Sequence, residues 1–192
     1  MSTSDHRSEE TLARLACAEL PGRSAPRVAI GGLGMGFTAR AALDALPASA
    51  HVVIAEIVPA VVDWQRRYTG GPAGQPLDDP RVAVHVGDVA DLFGQGGARY
   101  DAIILDVDNG PQGLTRPGNH ALYTVPGLTT ARRALRPGGI LAVWSAAHHR
   151  DFERRLGQAG FAVEIHKARH TIYLSRSPRS GLSGLGALLD RS

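Results

Sequence analysis

Val28-Ala29-Ile30-Gly31-Gly32-Leu33-Gly34-Met35-Gly36-Phe37-Thr38 is a short apolar run that breaks into glycines and resumes as a helical pattern. A buried strand must turn there into a helix, through a backbone bare enough for a ligand to press against it. The glycines serve either a nucleotide or merely a tight turn and close helix packing, and the surroundings decide between these. Downstream, apolar runs rich in β-branched residues alternate with helical patterns. The expected strands are 27 to 31, 51 to 56, 81 to 86, 101 to 106, 139 to 145, 161 to 167 and 170 to 175. Helices are expected at 36 to 46, 59 to 68, 120 to 136 and 149 to 159, with Val89-Ala90-Asp91-Leu92-Phe93 read as a short turn. This alternation predicts an α/β fold: a doubly wound, seven-stranded, mostly parallel sheet. The tight turn near Ala168 to His170 makes the last two strands an antiparallel hairpin at one edge.

The chain has 192 residues, 43% hydrophobic and 20% charged, which suits one core with short excursions. Residues 1 to 25 form a leading segment with one helix, predicted over 9 to 20. Residues 26 to 176 form the main domain, and the Gly- and Ser-rich stretch 177 to 192 reads as a flexible tail or a weak docking segment. Twenty-one basic residues stand against 18 acidic ones, interspersed rather than gathered into an arm, so nucleic acid is not implied. The N-terminus is polar and acidic, unlike a signal peptide. No apolar run approaches the roughly 20 residues that span a bilayer. These features predict a cytoplasmic protein without a membrane partner. Cys17, the single cysteine, has no local base, and the adjacent His148 and His149 lack companion ligands, so neither a thiol nucleophile nor a metal site is expected. The glycine loop has no Lys followed by Ser or Thr, which excludes a P-loop.

Ligands of open α/β sheets lie outside the carboxyl ends of the strands. Three successive strands end there in an acid: Glu56, Asp88 and Asp106. Glu56 follows the glycines by about 20 residues, where a carboxylate accepts hydrogen bonds from both ribose hydroxyls, unless it is merely a solvated strand end. Asp88 either caps the following turn or accepts from an exocyclic adenine amine. Asp106 ends the apolar run Ala102-Ile103-Ile104-Leu105. Partial burial there raises a carboxylate's pKa toward use as a base, the alternatives being to orient a substrate amine or to fix the loop. Asp108 and Asn109 are either acceptor-side groups or ordinary turn formers. His120 and Tyr123, at the start of the next predicted helix, either face the same opening or belong to helix start and core.

Together, Gly31 to Gly36, Glu56-Ile57-Val58-Pro59, Gly87-Asp88, Tyr100-Asp101-Ala102-Ile103-Ile104-Leu105-Asp106 and Leu135-Arg136-Pro137-Gly138-Gly139 resemble the class I S-adenosylmethionine-dependent methyltransferase fold. Within it they look most like the spermidine synthase, or polyamine aminopropyltransferase, branch. The resemblance spans about residues 26 to 176. It implies that Gly31, Gly32, Gly34 and Gly36 hold the methionine-derived part of the cofactor, Glu56 the ribose, and Asp88 with Val89 the adenine. It also implies that Asp106 matches the family's catalytic aspartate, with Asp108 and Asn109 beside it and His120 and Tyr123 on the acceptor. Three departures stand out. Gly34 occupies the place of the aspartate that binds the transferred group's amine. Asn109 replaces a second aspartate. The family's N-terminal β-domain with its Tyr-His-Glu-like segment is not found in the roughly 25 residues before the first strand. These departures lead the sequence reading to methyl transfer from S-adenosylmethionine to a small amine- or hydroxyl-bearing acceptor. Aminopropyl transfer from decarboxylated S-adenosylmethionine and a non-catalytic nucleotide-binding module are the alternatives. A homodimer is compatible with each of the three.

Overall fold

The computed structural model describes residues 6–20, 22–67, 73–94, 96–107, 110–111 and 121–179. Seven strands form one sheet: β1 (Arg27–Gly31), β2 (His51–Glu56), β3 (Val82–Val86), β4 (Tyr100–Leu105), β5 (Leu135–Ser145), β6 (Ala162–Lys167) and β7 (Thr171–Arg176). Their spatial order is β3-β2-β1-β4-β5-β7-β6. The first five pair in parallel, and β7 runs antiparallel to both β5 and β6. The chain therefore reverses its winding between β1 and β4, and the crevice at that switch opens at the carboxyl ends of the strands.

Period-two side-chain alternation sends each strand to two cores. Ile30, Ile54, Ile104 and Ala142 join one apolar cluster with α1 (Arg7–Ala18) and α2 (Phe37–Ala45). Ala29, Ala55, Ile103, Leu105 and Val143 join the other, with α4 (Val89–Gly94), α5 (Val125–Ala134) and α6 (Arg150–Gln158). Between β2 and β3 lie α3 (Pro59–Arg67) and a 3-10 turn at Pro76–Asp78. The leading helix packs as an integral layer, with Leu12, Ala13 and Ala16 fully buried.

Three boundaries differ from the sequence expectation for identifiable reasons. The stretch 89 to 93, expected as a turn, is helical, because Asp88 accepts a hydrogen bond from the Ala90 N–H (2.9 Å) and starts α4. The helix expected from 120 is interrupted: Ala121 and Leu122 are helical, the chain turns at Tyr123 and Thr124, and a new helix begins at Val125, where Thr124 caps it by accepting from Gly127 N–H (3.3 Å) and Pro126 lies in its first turn. That helix stops at Ala134 because Leu135 already pairs with Tyr100, so β5 starts four residues before the expected 139 across an irregular register. Of the expected tail, 180 to 192 lies outside the described residues. No helix among the described residues is long and apolar enough to cross a membrane.

At the amino end of β4, Asp101 is fully buried. It accepts from the Arg27 N–H (2.8 Å) and from Arg136 (2.8 Å), and Arg23 lies 3.3 Å away. This junction ties the leading segment to β1, β4 and β5 at the end of the sheet opposite the crevice.

Candidate active site

The parallel ladder continues one residue beyond the strands at their carboxyl ends. Gly32 N–H donates to Ala55 O (2.9 Å), Gly87 N–H to Glu56 O (2.9 Å), and Asp106 N–H to Gly31 O (2.9 Å). These bonds hold the glycine loop, Glu56, Asp88 and Asp106 along one rim of the sheet.

The loop itself is closely supported. Gly32 has φ +92°, and a Cβ there would lie 2.3 Å from the carbonyl oxygen of Asp106, so only glycine lets β1 and β4 approach. Gly34 has φ +48°, and among the described residues nothing comes within 4 Å of where a side chain would begin. Glu56, buried, spans the loop and the entry to α3: one oxygen accepts from Leu33 N–H (3.1 Å) and the other from Val58 N–H (2.9 Å). Gln65, reaching up from α3, donates to Gly34 O (2.9 Å). Val89 is buried and lies directly under Gly31.

Asp106 is half-buried, and its Oδ2 accepts from the buried Thr38 hydroxyl at 2.5 Å. Burial pushes its carboxyl up to about 6, against the opposing pull of the Thr38 hydrogen bond. The negative charge of Glu9 on α1 adds to the rise. Glu9 is near because α1 and α2 meet at this corner, where the rings of His6 and Phe37 stack 4.1 Å apart. A carboxyl poised near neutrality can both hold and release a proton.

The remaining sequence candidates divide. Asp108, Asn109 and His120 lie outside the described residues. Tyr123 is only 2% exposed and packs edge-on against Phe152 (5.6 Å), while its backbone oxygen accepts from Arg155 (2.9 Å). Its ring takes the core-packing role that the sequence left open. Glu56 and Asp88 both make loop-supporting bonds, yet each carboxylate retains free acceptor capacity, since an oxygen carries two lone pairs. Thr38, Gln65 and Ile57 were not singled out in the sequence. Ile57 is 44% exposed directly after Glu56, a strand-end apolar surface of the kind a flat ring covers. Its signal was available, as the apolar residue following the strand-end acid. Thr38 had none, because its partner lies 68 residues away.

An open glycine loop, hydrogen-bonding carboxylates at successive strand ends and an exposed apolar side chain between them fit an adenosyl group. Together with the strand order they define a class I S-adenosylmethionine-dependent methyltransferase-like fold. Similarity to solved structures supports that class. The match to spermidine synthase from Thermotoga maritima has a TM-score of 0.66 at 22% identity, covering 88% of this chain and 58% of that one. Human methyltransferase-like protein 13 in complex with SAH matches with a TM-score of 0.66 at 19% identity, over 95% and 86%. Residues 6–155 match the spermine/spermidine synthase domain, and the chain belongs to that family. A polyamine aminopropyltransferase of Nitrosomonas europaea is 36% identical over 99 residues, covering 50% of this chain and 28% of that protein. Spermidine synthase of Coffea arabica is 32% identical over 146 residues, 73% and 43% respectively. The chain thus spans less than half the length of these two relatives.

Proposed function

We propose that the chain transfers an alkyl group from an adenosyl sulfonium to a small amine, with aminopropyl transfer from decarboxylated S-adenosylmethionine as the leading reaction. The family and the names of its relatives support the aminopropyl form over the methyl form that the sequence departures favour. The observation that carries the reading is Asp106, a half-buried carboxylate at the crevice, beside the glycine loop, with its pKa pushed up to about 6.

In this reading the Gly31–Gly36 backbone cradles the sulfur side of the cofactor and Glu56 accepts from the ribose hydroxyls. Ile57 packs on the adenine, and Asp88, with the backbone at Val89, reads its edge. When bound, the sulfonium supplies an alkyl carbon that is already activated, so the protein's tasks are alignment and exclusion of water. Asp106 orients the acceptor nitrogen and accepts the proton that leaves it as the new carbon–nitrogen bond forms and the carbon–sulfur bond breaks. The family resemblance assigns Asp108, Asn109 and His120, which lie outside the described residues, to the acceptor.

Methyl transfer from S-adenosylmethionine is the second reading, and one observation favours it. At Gly34, where polyamine synthases carry the amine-binding aspartate, the side chain is a single hydrogen, and no described residue comes within 4 Å of where a Cβ would lie. Incubation of the purified chain with each sulfonium and a panel of diamines, followed by mass spectrometry, separates the two. Aminopropylated amine from the decarboxylated cofactor supports the leading reading. Methylated product from S-adenosylmethionine alone transfers support to the second. No product from either overturns both.

A further inference from the structure

Thr38 reaches Asp106 from the second residue of α2, the helix that the glycine loop leads into, and the residue is only 4% exposed. The hydroxyl donates to Oδ2 at 2.5 Å, and Oδ1 makes no hydrogen bond among the described residues. One carboxylate oxygen is therefore pinned to the cofactor-loop helix, while no described residue holds the other. A half-buried aspartate without such a tether is free to rotate about χ2 and present either oxygen. We infer that Thr38 is a positioning residue: it fixes the Asp106 carboxylate with Oδ1 toward the acceptor and thereby links the glycine-loop helix to the group that handles the acceptor's proton. Only the acceptor role of Oδ1 rests on the functional reading given above. The geometry and its effect on the carboxyl do not.

Two neighbouring groups act on the carboxylate in opposite directions. The Thr38 hydroxyl, at the positive end of α2, stabilises the ionised form. Glu9, from the first turn of α1, destabilises it by like-charge repulsion. Removing either should move the ionisation of Asp106 with opposite sign, which a general loosening of the fold would not do.

The test is the titration of the Asp106 carboxyl carbon by NMR in the ligand-free 192-residue chain, in wild type, Thr38→Val, Thr38→Ser and Glu9→Gln. Thr38→Val should raise the midpoint above about 6 by roughly one pH unit. Thr38→Ser, which keeps the hydroxyl, should return it close to wild type, and Glu9→Gln should lower it. In turnover, the acidic limb of the kcat profile should move up in the Val variant and be restored by Ser, with KM for the sulfonium little changed. An unmoved midpoint in Thr38→Val, or failure of Ser to restore it, overturns the inference. If the Val variant does not fold, the Thr38 hydroxyl proton in the wild-type spectrum decides. Its slow exchange and downfield position above pH 6 are expected, and fast exchange there overturns the assignment. Absence of turnover in wild type would count against the proposed function while leaving the titration result intact.

Discussion

Replacing Gly32 by Ala tests how tightly the crevice is built, with Gly34→Ala as its internal comparison. Both residues have positive φ, but at +92° Gly32 lies well beyond the left-handed well near +57°, whereas Gly34 at +48° lies close to it. Backbone strain costs about 2 kcal/mol at Gly32 and about 1 kcal/mol at Gly34. The added methyl at Gly32 would also stand 2.3 Å from Asp106 O and 3.0 Å from its carbonyl carbon. That backbone is held by the bond from Asp106 N–H to Gly31 O, so it yields only by disturbing the β1–β4 junction, for roughly 1–3 kcal/mol more. Reduced entropy of the unfolded chain returns about 0.4–1 kcal/mol in both variants. The net expectation is a loss of about 2–4 kcal/mol for Gly32→Ala and less than about 1 kcal/mol for Gly34→Ala. At roughly 2–4 °C per kcal/mol for a chain of this size, Tm falls by about 5–15 °C in the first and about 3 °C or less in the second. Urea and thermal unfolding followed by circular dichroism on matched preparations measure both. Equal losses, or a larger loss at Gly34, would refute the claim that the close approach at Gly32 holds the rim together.

The raised pKa of Asp106 makes a signed prediction about stability. Its folded value, about 6, exceeds the ordinary 3.8, so between those values the native state binds more protons than the unfolded one. This carboxyl therefore removes stability as pH rises from about 4 to 6, by about 3 kcal/mol at 1.36 kcal/mol per pH unit. Asp106→Asn should lose this decline while abolishing transfer, and unfolding curves that stay parallel from pH 4 to 7 would contradict it. Asp101→Ala should cost about 2 kcal/mol in urea unfolding, since it strands the Arg27 N–H and unpairs Arg23 and Arg136, although the guanidiniums of Arg23 and Arg136 are exposed enough to recover water. A loss below about 0.5 kcal/mol would show that this junction is dispensable.

The parallel core was legible because each central strand is a continuous apolar run. Ala102, Ile103, Ile104 and Leu105 are all fully buried, as strands covered on both faces must be. The hairpin of β6 and β7 was legible from its short turn. The ends of elements were not, because they depend on partners distant in sequence. β5 begins at Leu135 only because Tyr100 is there to pair with it, and α4 exists because Asp88 uses its side chain to start a helix. The same holds at the site. Glu56, Asp88 and Asp106 were legible as acids ending consecutive strands. The hydrogen bonds they make depend on loop backbone and on Thr38, whose approach to Asp106 follows from where α2 lands on the sheet.

The central claim is that the strand-end crevice holds an adenosyl sulfonium through the glycine loop and Glu56. Calorimetric titration of the purified chain with S-adenosylmethionine and with its decarboxylated form, in wild type and Glu56→Gln, tests it most directly. Glu56→Gln leaves only one oxygen to accept from Leu33 N–H, Val58 N–H and the ribose. The account predicts saturable one-site binding to wild type, tighter for the decarboxylated form, and at least about tenfold weaker in Glu56→Gln, the equivalent of one charge-assisted hydrogen bond. Binding of neither nucleotide, or binding that Glu56→Gln leaves unchanged, would contradict it.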